Sequence, residues 1–169
     1  MVTLRCTRKL LQRARLTPSS APVAPTTRLG DWYATLVPFR SPLVLTLSER
    51  TLLAIVLPLA PANSLLRRWP AGARELLLAL GLPAVRVAEE VMAMQGPAIG
   101  VTASRQIVGC LNEAVARVRW FGAPETDAET HALNLRLADL IYSTTNYESP
   151  TDAAYRAFGL QVPSRCGLH

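Results

Sequence analysis

The chain has 169 residues, of which 50% are hydrophobic and 18% are charged, and its mean hydropathy is +0.20. This length suits one domain with a sizeable core, and we expect a single domain over residues 1–169. The most apolar stretch, residues 42–62, is interrupted by polar residues, and its unbroken part is far shorter than the roughly 20 residues that span a membrane. We therefore expect no membrane span.

The positive charge is concentrated at the start of the sequence. The 18 basic and 12 acidic residues give a formal net charge of +6, and no acidic residue precedes Asp31. A local excess of this kind attracts nucleic acid, an anionic membrane surface or an acidic partner, or forms a solvated face. Weak, nonspecific contact with nucleic acid, through Arg8, Lys9, Arg13 and Arg15, is one of these alternatives, and a solvated face is the other that stays open.

The first thirty residues predict a strand, a short helix and a loop. Residues 2–6 alternate between apolar and polar side chains, as in a half-buried strand. Thr7 is suited to cap a helix that buries Leu10. Residues 17–28 are rich in proline, serine and threonine, and their prolines exclude regular structure. We expect a flexible loop there.

Residues 31–57 predict three antiparallel strands. The segments 31–39, 43–48 and 51–57 are rich in β-branched, leucine and aromatic residues, and short turns separate them. The third segment is apolar on both faces, so either helices cover both of its sides or a partner covers one. The surplus of apolar side chains therefore favours a homodimer.

The remaining sequence predicts four to five helices. A short helical turn ends at Pro70. Helical patterns with suitable caps follow over residues 71–80, 83–94, 102–120, 126–141 and 149–159. The complete pattern predicts an α+β fold, in which a small antiparallel sheet, made of the N-terminal strand and the three-stranded meander, packs with the C-terminal helices.

No metal-binding or cofactor signature is present. Cys6, Cys110 and Cys166 are widely spaced, and neither His131 nor His169 belongs to a ligand pattern, so we expect no metal site. The glycine-rich and nucleophile motifs of dinucleotide-binding proteins, P-loop proteins and hydrolases are missing, so we expect no cofactor. An odd number of cysteines without a secretory signal favours the reducing cytoplasm.

The helix that begins at Thr102 carries the sharpest candidate site. Arg105, Asn112 and Arg119 lie seven residues apart, on a face separate from the apolar stripe. On that face, only Gly109 and Ala116 lie between them. This face therefore forms either a shallow trough for a backbone or an anionic ligand, or a surface that packs closely against another element.

A second candidate is the run Asp31, Trp32 and Tyr33. An acid beside two aromatic side chains is compatible with a ligand wall or a base-stacking platform. It is equally compatible with two core anchors beside a turn residue. Asp31 is the best candidate for a general base in this chain.

Four segments carry a resemblance to a known family. They are residues 4–11 (LRCTRKLL), 29–36 (LGDWYATL), 43–53 (LVLTLSERTLL) and 102–113 (TASRQIVGCLNE). In this order they resemble the strings LRCTKKLL, GDWYANL, NERTLL and NRSVLGSMND of a bacterial family of uncharacterised proteins, a domain of unknown function. The sequence departs from that pattern at Ser48, Ala54 and Ser104, where Asn, Pro and Asn are expected.

The resemblance implies a bacterial origin and cytoplasmic residence, and it implies no activity. Its strings contain further polar residues that extend the candidate site, namely Arg5, Thr7, Glu49 and Arg50. A hairpin tip at residues 49–50 beside the first strand leads us to expect a polar network that joins Glu49, Arg50 and Arg5 to Arg105 and Asn112.

Two functions of different class remain open. The first is a non-enzymatic binding or interaction module with a protein partner, such as a mobile-element product or a toxin–antitoxin partner. The second is a small enzyme that acts on a phosphate-bearing or nucleotide substrate. In that case Arg5, Arg50 and Arg105 would clamp the anion, and Asp31 or Glu49 would act as base. A deep pocket in which these groups converge would favour the enzyme, and an open patch would favour the module.

Overall fold

A computed structural model describes residues 1–19, 21, 23–144 and 147–164. Its centre is a five-stranded sheet in the order β4-β3-β2-β1-β5. The strands are β1 (Thr3–Cys6), β2 (Trp32–Val37), β3 (Leu43–Ser48), β4 (Ala54–Pro58) and β5 (Ala98–Val101). The helices are α1 (Arg8–Ala14), α2 (Leu65–Ala79), α3 (Ala84–Ala93), α4 (Arg105–Phe121), α5 (Asp127–Ala138) and α6 (Pro150–Ala157). None of the described helices has the length and hydropathy of a membrane span.

The sheet is mixed, so the prediction of a small antiparallel sheet is wrong. β1 pairs in parallel with β2, where Leu4 lies opposite Trp32, and in parallel with β5, where Leu4 lies opposite Ile99. Only β2, β3 and β4 form the predicted antiparallel meander. β5 was not predicted, because it has only four residues and follows a Gly-Pro break, and because its pairing with β1 is a contact between distant segments.

Alternation along the strands creates a hydrophobic core on each face of the sheet. On one face, Leu4, Trp32 and Ile55 pack against α1, α2, α3 and α6. On the other face, Tyr33 and Val56 pack against α4 and α5. Different helices therefore cover the two faces, and α1 lies on one side of the sheet while α4 lies on the other.

Helices of the same chain cover both faces of β4. Its Ile55 and Leu57 side chains belong to one core, and its Ala54 and Val56 side chains belong to the other. The apolar character of this strand is therefore explained without a second subunit. The homodimer stays a prediction, but the apolar character of β4 no longer supports it.

The predicted break at Pro70 is wrong, because α2 is one continuous helix that contains this proline. Pro70 cannot donate a backbone hydrogen bond within the helix. The packing of the preceding residue offsets that loss, since Trp69 is completely buried and meets the Trp32 ring edge to face, with centroids 5.6 Å apart. Tertiary burial therefore overrides the local preference.

The predicted helix caps have mixed outcomes. Thr126 accepts a hydrogen bond from the Glu129 backbone at the start of α5, as the capping-box pattern predicts. Ser149 likewise caps α6. Thr7, by contrast, precedes α1 without a side-chain cap, because its hydroxyl lies 3.1 Å from the Thr35 hydroxyl.

Candidate functional site

The first turn of α4 is held in place from the sheet below it. The buried Tyr33 hydroxyl accepts a hydrogen bond from the Ser104 backbone N–H at 3.1 Å. The Ser104 hydroxyl in turn accepts from the Ile107 N–H at 3.3 Å and caps the helix. Tyr33 is therefore a core anchor that positions α4, rather than part of an aromatic ligand wall.

A shallow depression of about 410 Å³ lies between the loop that precedes α4 and the helix itself. It is lined by Thr102, Ala103, Ser104, Arg105, Val108, Gly109 and Asn112. The structure thus brings together three of the predicted site residues, Thr102, Arg105 and Asn112.

The outward face of α4 is open along its length. No atom lies within 4 Å of the position that a Cβ on Gly109 would occupy, and Ala116 is exposed. Arg105 and Asn112 are exposed as well, and their side chains make no hydrogen bond with a described residue. Close packing of this face against another element is therefore not seen in the described part of the chain, and the trough lies open to solvent.

The same face continues to Trp120. At about 100° per residue, Arg119 and Trp120 return to the side of the helix that carries Arg105, Gly109 and Asn112. Trp120 is 85% exposed, whereas the other two tryptophans, both in the core, are completely buried. We call the surface formed by Arg105, Gly109, Asn112, Ala116, Arg119 and Trp120 the α4 face.

The α4 face is positively charged. Arg105 and Arg119 belong to it, Arg117 is exposed beside it, and none of the three forms a salt bridge with a described residue. Glu113 has the i,i+4 spacing for a pair with Arg117, but the two do not come within salt-bridge distance. The cations of this surface are therefore free to meet an external anion.

Asp31 is engaged in holding the sheet together. It is 3% exposed, and its Oδ1 accepts a hydrogen bond from the Thr3 backbone N–H at 2.9 Å. Its Oδ2 accepts from the Arg5 guanidinium, with Nε at 3.2 Å and Nη2 at 3.0 Å. The ion pair thereby links the start of β2 to β1. Both carboxylate oxygens have protein partners, and Arg5 is held by the same pair.

Two further candidate residues, Trp32 and Thr7, are also structural. Trp32 has no exposed surface and packs on Trp69, so it offers no stacking platform. Thr7 meets Thr35 across the two neighbouring strands and donates its backbone N–H to the Ala34 carbonyl. These contacts join β1 to β2.

Glu49 and Arg50 form the exposed tip of the β3–β4 hairpin. Arg50 Nη1 donates to the Thr27 and Arg28 carbonyl oxygens at 3.3 and 3.4 Å, and its side chain lies over Gly30. The predicted network of Glu49, Arg50 and Arg5 with the α4 residues is therefore not present among the described contacts, because Arg5 and Arg50 have other partners.

Two features of this structure were not predicted from the sequence. One is the exposed Trp120, which helical periodicity could have separated from the apolar stripe. The other is Glu90, a carboxylate that is 1% exposed and accepts from the Arg28 and Leu29 backbone N–H groups at 2.8 and 3.0 Å. No local sequence pattern predicts that the Glu90 carboxylate contacts the Arg28 and Leu29 backbone. Among the described residues, no group of three histidine, cysteine or acidic side chains is arranged to hold a metal ion.

Comparison with known proteins gives one family. The model of the family "Domain of unknown function (DUF6933)" matches residues 3–153. Neither the curated proteins nor the solved structures contain a match to this chain.

Proposed function

Since this chain belongs to DUF6933, a domain of unknown function, we propose its function from the geometry of its exposed surfaces. The domain is an interaction module whose α4 face binds an acidic segment of a partner protein. The observation that carries this proposal is the exposure of Trp120 beside unpaired arginines on a single rigid helix.

Trp120 has the properties of a binding anchor. An 85% exposed tryptophan leaves a large apolar ring in water, and tryptophan and arginine are the residues most enriched where binding energy is concentrated. Arg119 lies beside it in sequence, and a helix that packs on the sheet holds both. A partner that covers the ring gains apolar burial without having to order the helix.

Charge and spacing indicate the kind of partner. The free cations Arg105, Arg117 and Arg119 outnumber Glu113, the one acid of this helix, so the surface attracts negative charge. Trp120 lies fifteen positions after Arg105, so the two residues are about 22 Å apart along the helix axis. An extended segment of roughly seven residues spans that distance. An acidic segment with an apolar residue at one end fits both features.

The chemistry of the depression favours binding over catalysis. No carboxylate, histidine or thiol is among its lining residues. In the enzymatic alternative, Arg5, Arg50 and Arg105 would clamp a phosphate and Asp31 or Glu49 would act as base. The side chains of Arg5, Arg50 and Asp31 already bond within the protein. Glu49 is exposed, but it is not among the residues that line the depression, so of these groups Arg105 alone lies there.

Bacterial origin and cytoplasmic residence are also proposals. They are supported by the resemblance of the sequence and by thiol chemistry, because the described cysteines, Cys6 and Cys110, are both free and buried. Cys166 lies outside the described residues. Self-association and a link to a mobile element or a toxin–antitoxin pair stay predictions.

A synthetic peptide tests the acidic-segment proposal. The probe is a fluorescently labelled ten-residue peptide of glutamate with two leucines, and the comparison peptide has glutamine in place of glutamate. We expect saturable binding of the acidic peptide, together with a shift of tryptophan emission to shorter wavelength as Trp120 leaves water. Trp32 and Trp69 are already buried and contribute a constant background.

Variants identify the surface. Trp120→Ala and Arg119→Ala are each expected to weaken the acidic peptide by about fivefold or more, as for residues at the centre of an interface. The matched control is Arg74→Ala, which removes an exposed arginine from α2, on the other face of the sheet. Equal binding of the glutamine peptide, or an equal loss in Arg74→Ala, would contradict the proposal.

A further inference from the structure

The second positively charged surface is the outer side of α1, and it lies on the opposite face of the sheet from α4. Its four cationic side chains are exposed, and none makes a side-chain hydrogen bond or salt bridge with a described residue. They are Arg8, Lys9, Arg13 and Arg15. The buried Leu10 and Ala14 fix the orientation of the helix, so these cations are held toward solvent.

The placement of two of these cations is unfavourable for the helix itself. Arg8 and Lys9 occupy the first turn, which contains no acid, and the positive end of the helix dipole repels cations there. Lys9 and Arg13 are four residues apart, a spacing at which like charges repel. Arg13 lies in the last turn, where the dipole favours a cation, and the burial of Leu10 and Ala14 holds the helix in place. A polyanion bound along α1 would remove the two repulsions.

A depression of about 500 Å³ adjoins the end of this helix. Its lining combines cations, an amide and apolar side chains, namely Arg13, Ala14, Arg15, Leu16, Ala62, Asn63 and Leu66. The far wall is firmly held, because the Arg68 guanidinium donates to the carbonyl oxygens of Pro58, Leu59 and Pro61 at 2.8 to 3.1 Å. The depression therefore has a rigid wall and offers an apolar floor beside positive charge.

We propose that this surface binds single-stranded nucleic acid. The four cations of α1 contact successive phosphates, and an unstacked base enters the depression, where Leu16, Ala62 and Leu66 contact its ring and the Asn63 amide meets its polar edge. Single strands are the form in which bases are free to be seated in this way. The proposed α4 peptide site is not involved.

Two other polyanions fit less well. A membrane-binding helix needs exposed apolar side chains to enter the lipid, whereas α1 buries Leu10 and Ala14 in the protein core. An acidic protein segment would satisfy the charges as well, since the guanidinium groups of Arg8, Arg13 and Arg15 match both carboxylate and phosphate. A nucleic acid, however, carries a planar ring on every charged unit, and this suits an apolar depression flanked by arginines.

Fluorescence anisotropy with labelled dT20 and U20 tests the proposal. Each phosphate contact on a single strand contributes about −0.7 to the slope of log affinity against log salt, so four contacts predict binding about 50-fold weaker at 200 mM than at 50 mM NaCl. The quadruple variant Arg8→Ser, Lys9→Ser, Arg13→Ser and Arg15→Ser should lose this binding. The charge-matched control changes Arg40, Arg74, Arg105 and Arg119 to Ser and should retain most of it.

Three further experiments follow. The first two test whether a base is bound in the depression, and the third tests whether a loss of affinity is due to misfolding. An abasic strand of the same length should bind about tenfold more weakly than dT20, and Asn63→Asp should weaken dT20 several-fold. Arg15→Gly removes one cation at a position whose φ of 54° favours glycine, so it should keep or raise the melting temperature while the affinity falls several-fold.

The outcomes that would overturn the proposal are equally specific. One is equal loss of binding in the charge-matched control. Another is equal affinity for poly-glutamate in the charge-matched control, which lacks Arg105 and Arg119 of the α4 face, or equal affinity for the abasic strand or for phosphatidylserine vesicles. A third is the absence of any binding of dT20 and U20 at 50 mM NaCl. The α4 peptide proposal is untouched by all of these, because the charge-matched control removes Arg105 and Arg119 and the α1 variants leave them in place.

Discussion

Asn134 pairs with Val56 as a neighbouring strand would. The Asn134 Oδ1 accepts a hydrogen bond from the Val56 N–H at 2.7 Å, and its Nδ2 donates to the Val56 carbonyl at 3.2 Å. β4 is an edge strand, and Arg68 engages the carbonyl oxygen of Pro58 two residues further along. Side chains from α5 and α2 thus occupy backbone groups that an edge strand would otherwise offer to another chain.

We expect Asn134→Leu to destabilise the domain by about 2–4 kcal/mol. The substitution leaves the N–H and the carbonyl of Val56 buried without partners, and each unsatisfied group costs about 1–3 kcal/mol. Urea unfolding followed by circular dichroism measures this difference.

The matched control is Asn112→Ala. Asn112 is exposed and its amide makes no hydrogen bond with a described residue, so this change should alter stability by less than about 0.5 kcal/mol. Equal destabilisation by the two substitutions would show that the strand-like contact of Asn134 has no special role.

Gly109→Ala is expected to stabilise the domain by about 0.5–1 kcal/mol. Glycine in a helix interior loses more backbone entropy than alanine, and the space around the added methyl group is empty. Thermal melts compare it with Gly30→Ala. That control should be destabilising, because Gly30 has φ of +77° and its Cβ would lie 2.9 Å from the Arg50 Cγ. A lower melting temperature for Gly109→Ala would show that the α4 face is covered.

The sequence predicts those parts of the fold that have local causes. The segments 31–39, 43–48 and 51–57 became β2, β3 and β4, and Ser149 caps α6 as its position suggested. The parallel pairing of β1 has no local cause. A crossover that contains α1 separates β1 from β2, and more than half of the chain separates β1 from β5. Pro70 shows the reverse case, in which a clear local signal is overridden by the burial of Trp69.

In the candidate site, too, the features with local causes were predictable and those that depend on tertiary contacts were not. The exposure of Arg105 and Asn112 follows from helical periodicity, which a sequence shows directly. The partner of Arg5 does not, because Asp31 lies 26 residues away and reaches it only through the pairing of β1 with β2. A network inferred from nearby polar residues therefore failed where tertiary contacts had already used their hydrogen-bonding groups.

The ion pair of Arg5 and Asp31 leads to a third prediction. Asp31→Asn keeps the shape of the side chain and an oxygen for the Thr3 N–H, but it removes the charge that faces the half-buried guanidinium. We expect a loss of about 1.5–3 kcal/mol, the range for hydrogen bonds that involve charged groups. A double-mutant cycle with Arg5→Ala should give a coupling energy above about 0.5 kcal/mol. Additive losses would show that the two side chains act independently.

The last prediction concerns Cys6 at alkaline pH. Burial raises the pKa of its thiol from 9.0 to about 12, because desolvation disfavours the thiolate. The unfolded chain therefore loses this proton first as the pH rises. The contribution of the neutral thiol to the free energy of unfolding is complete below pH 9. It is lost progressively between pH 9 and 12, and about 2 kcal/mol of it has been lost at pH 10.5.

Other groups also titrate in this range, so the readout is a difference between two proteins. Wild type and Cys6→Ala are unfolded in urea at pH 8 and at pH 10.5. The alanine variant is less stable at pH 8, because it leaves a cavity in the core, but that deficit does not depend on pH. The gap between the two proteins should therefore narrow by about 2 kcal/mol at pH 10.5. A gap that stays constant would mean that the thiol of Cys6 ionises alike in the folded and unfolded states.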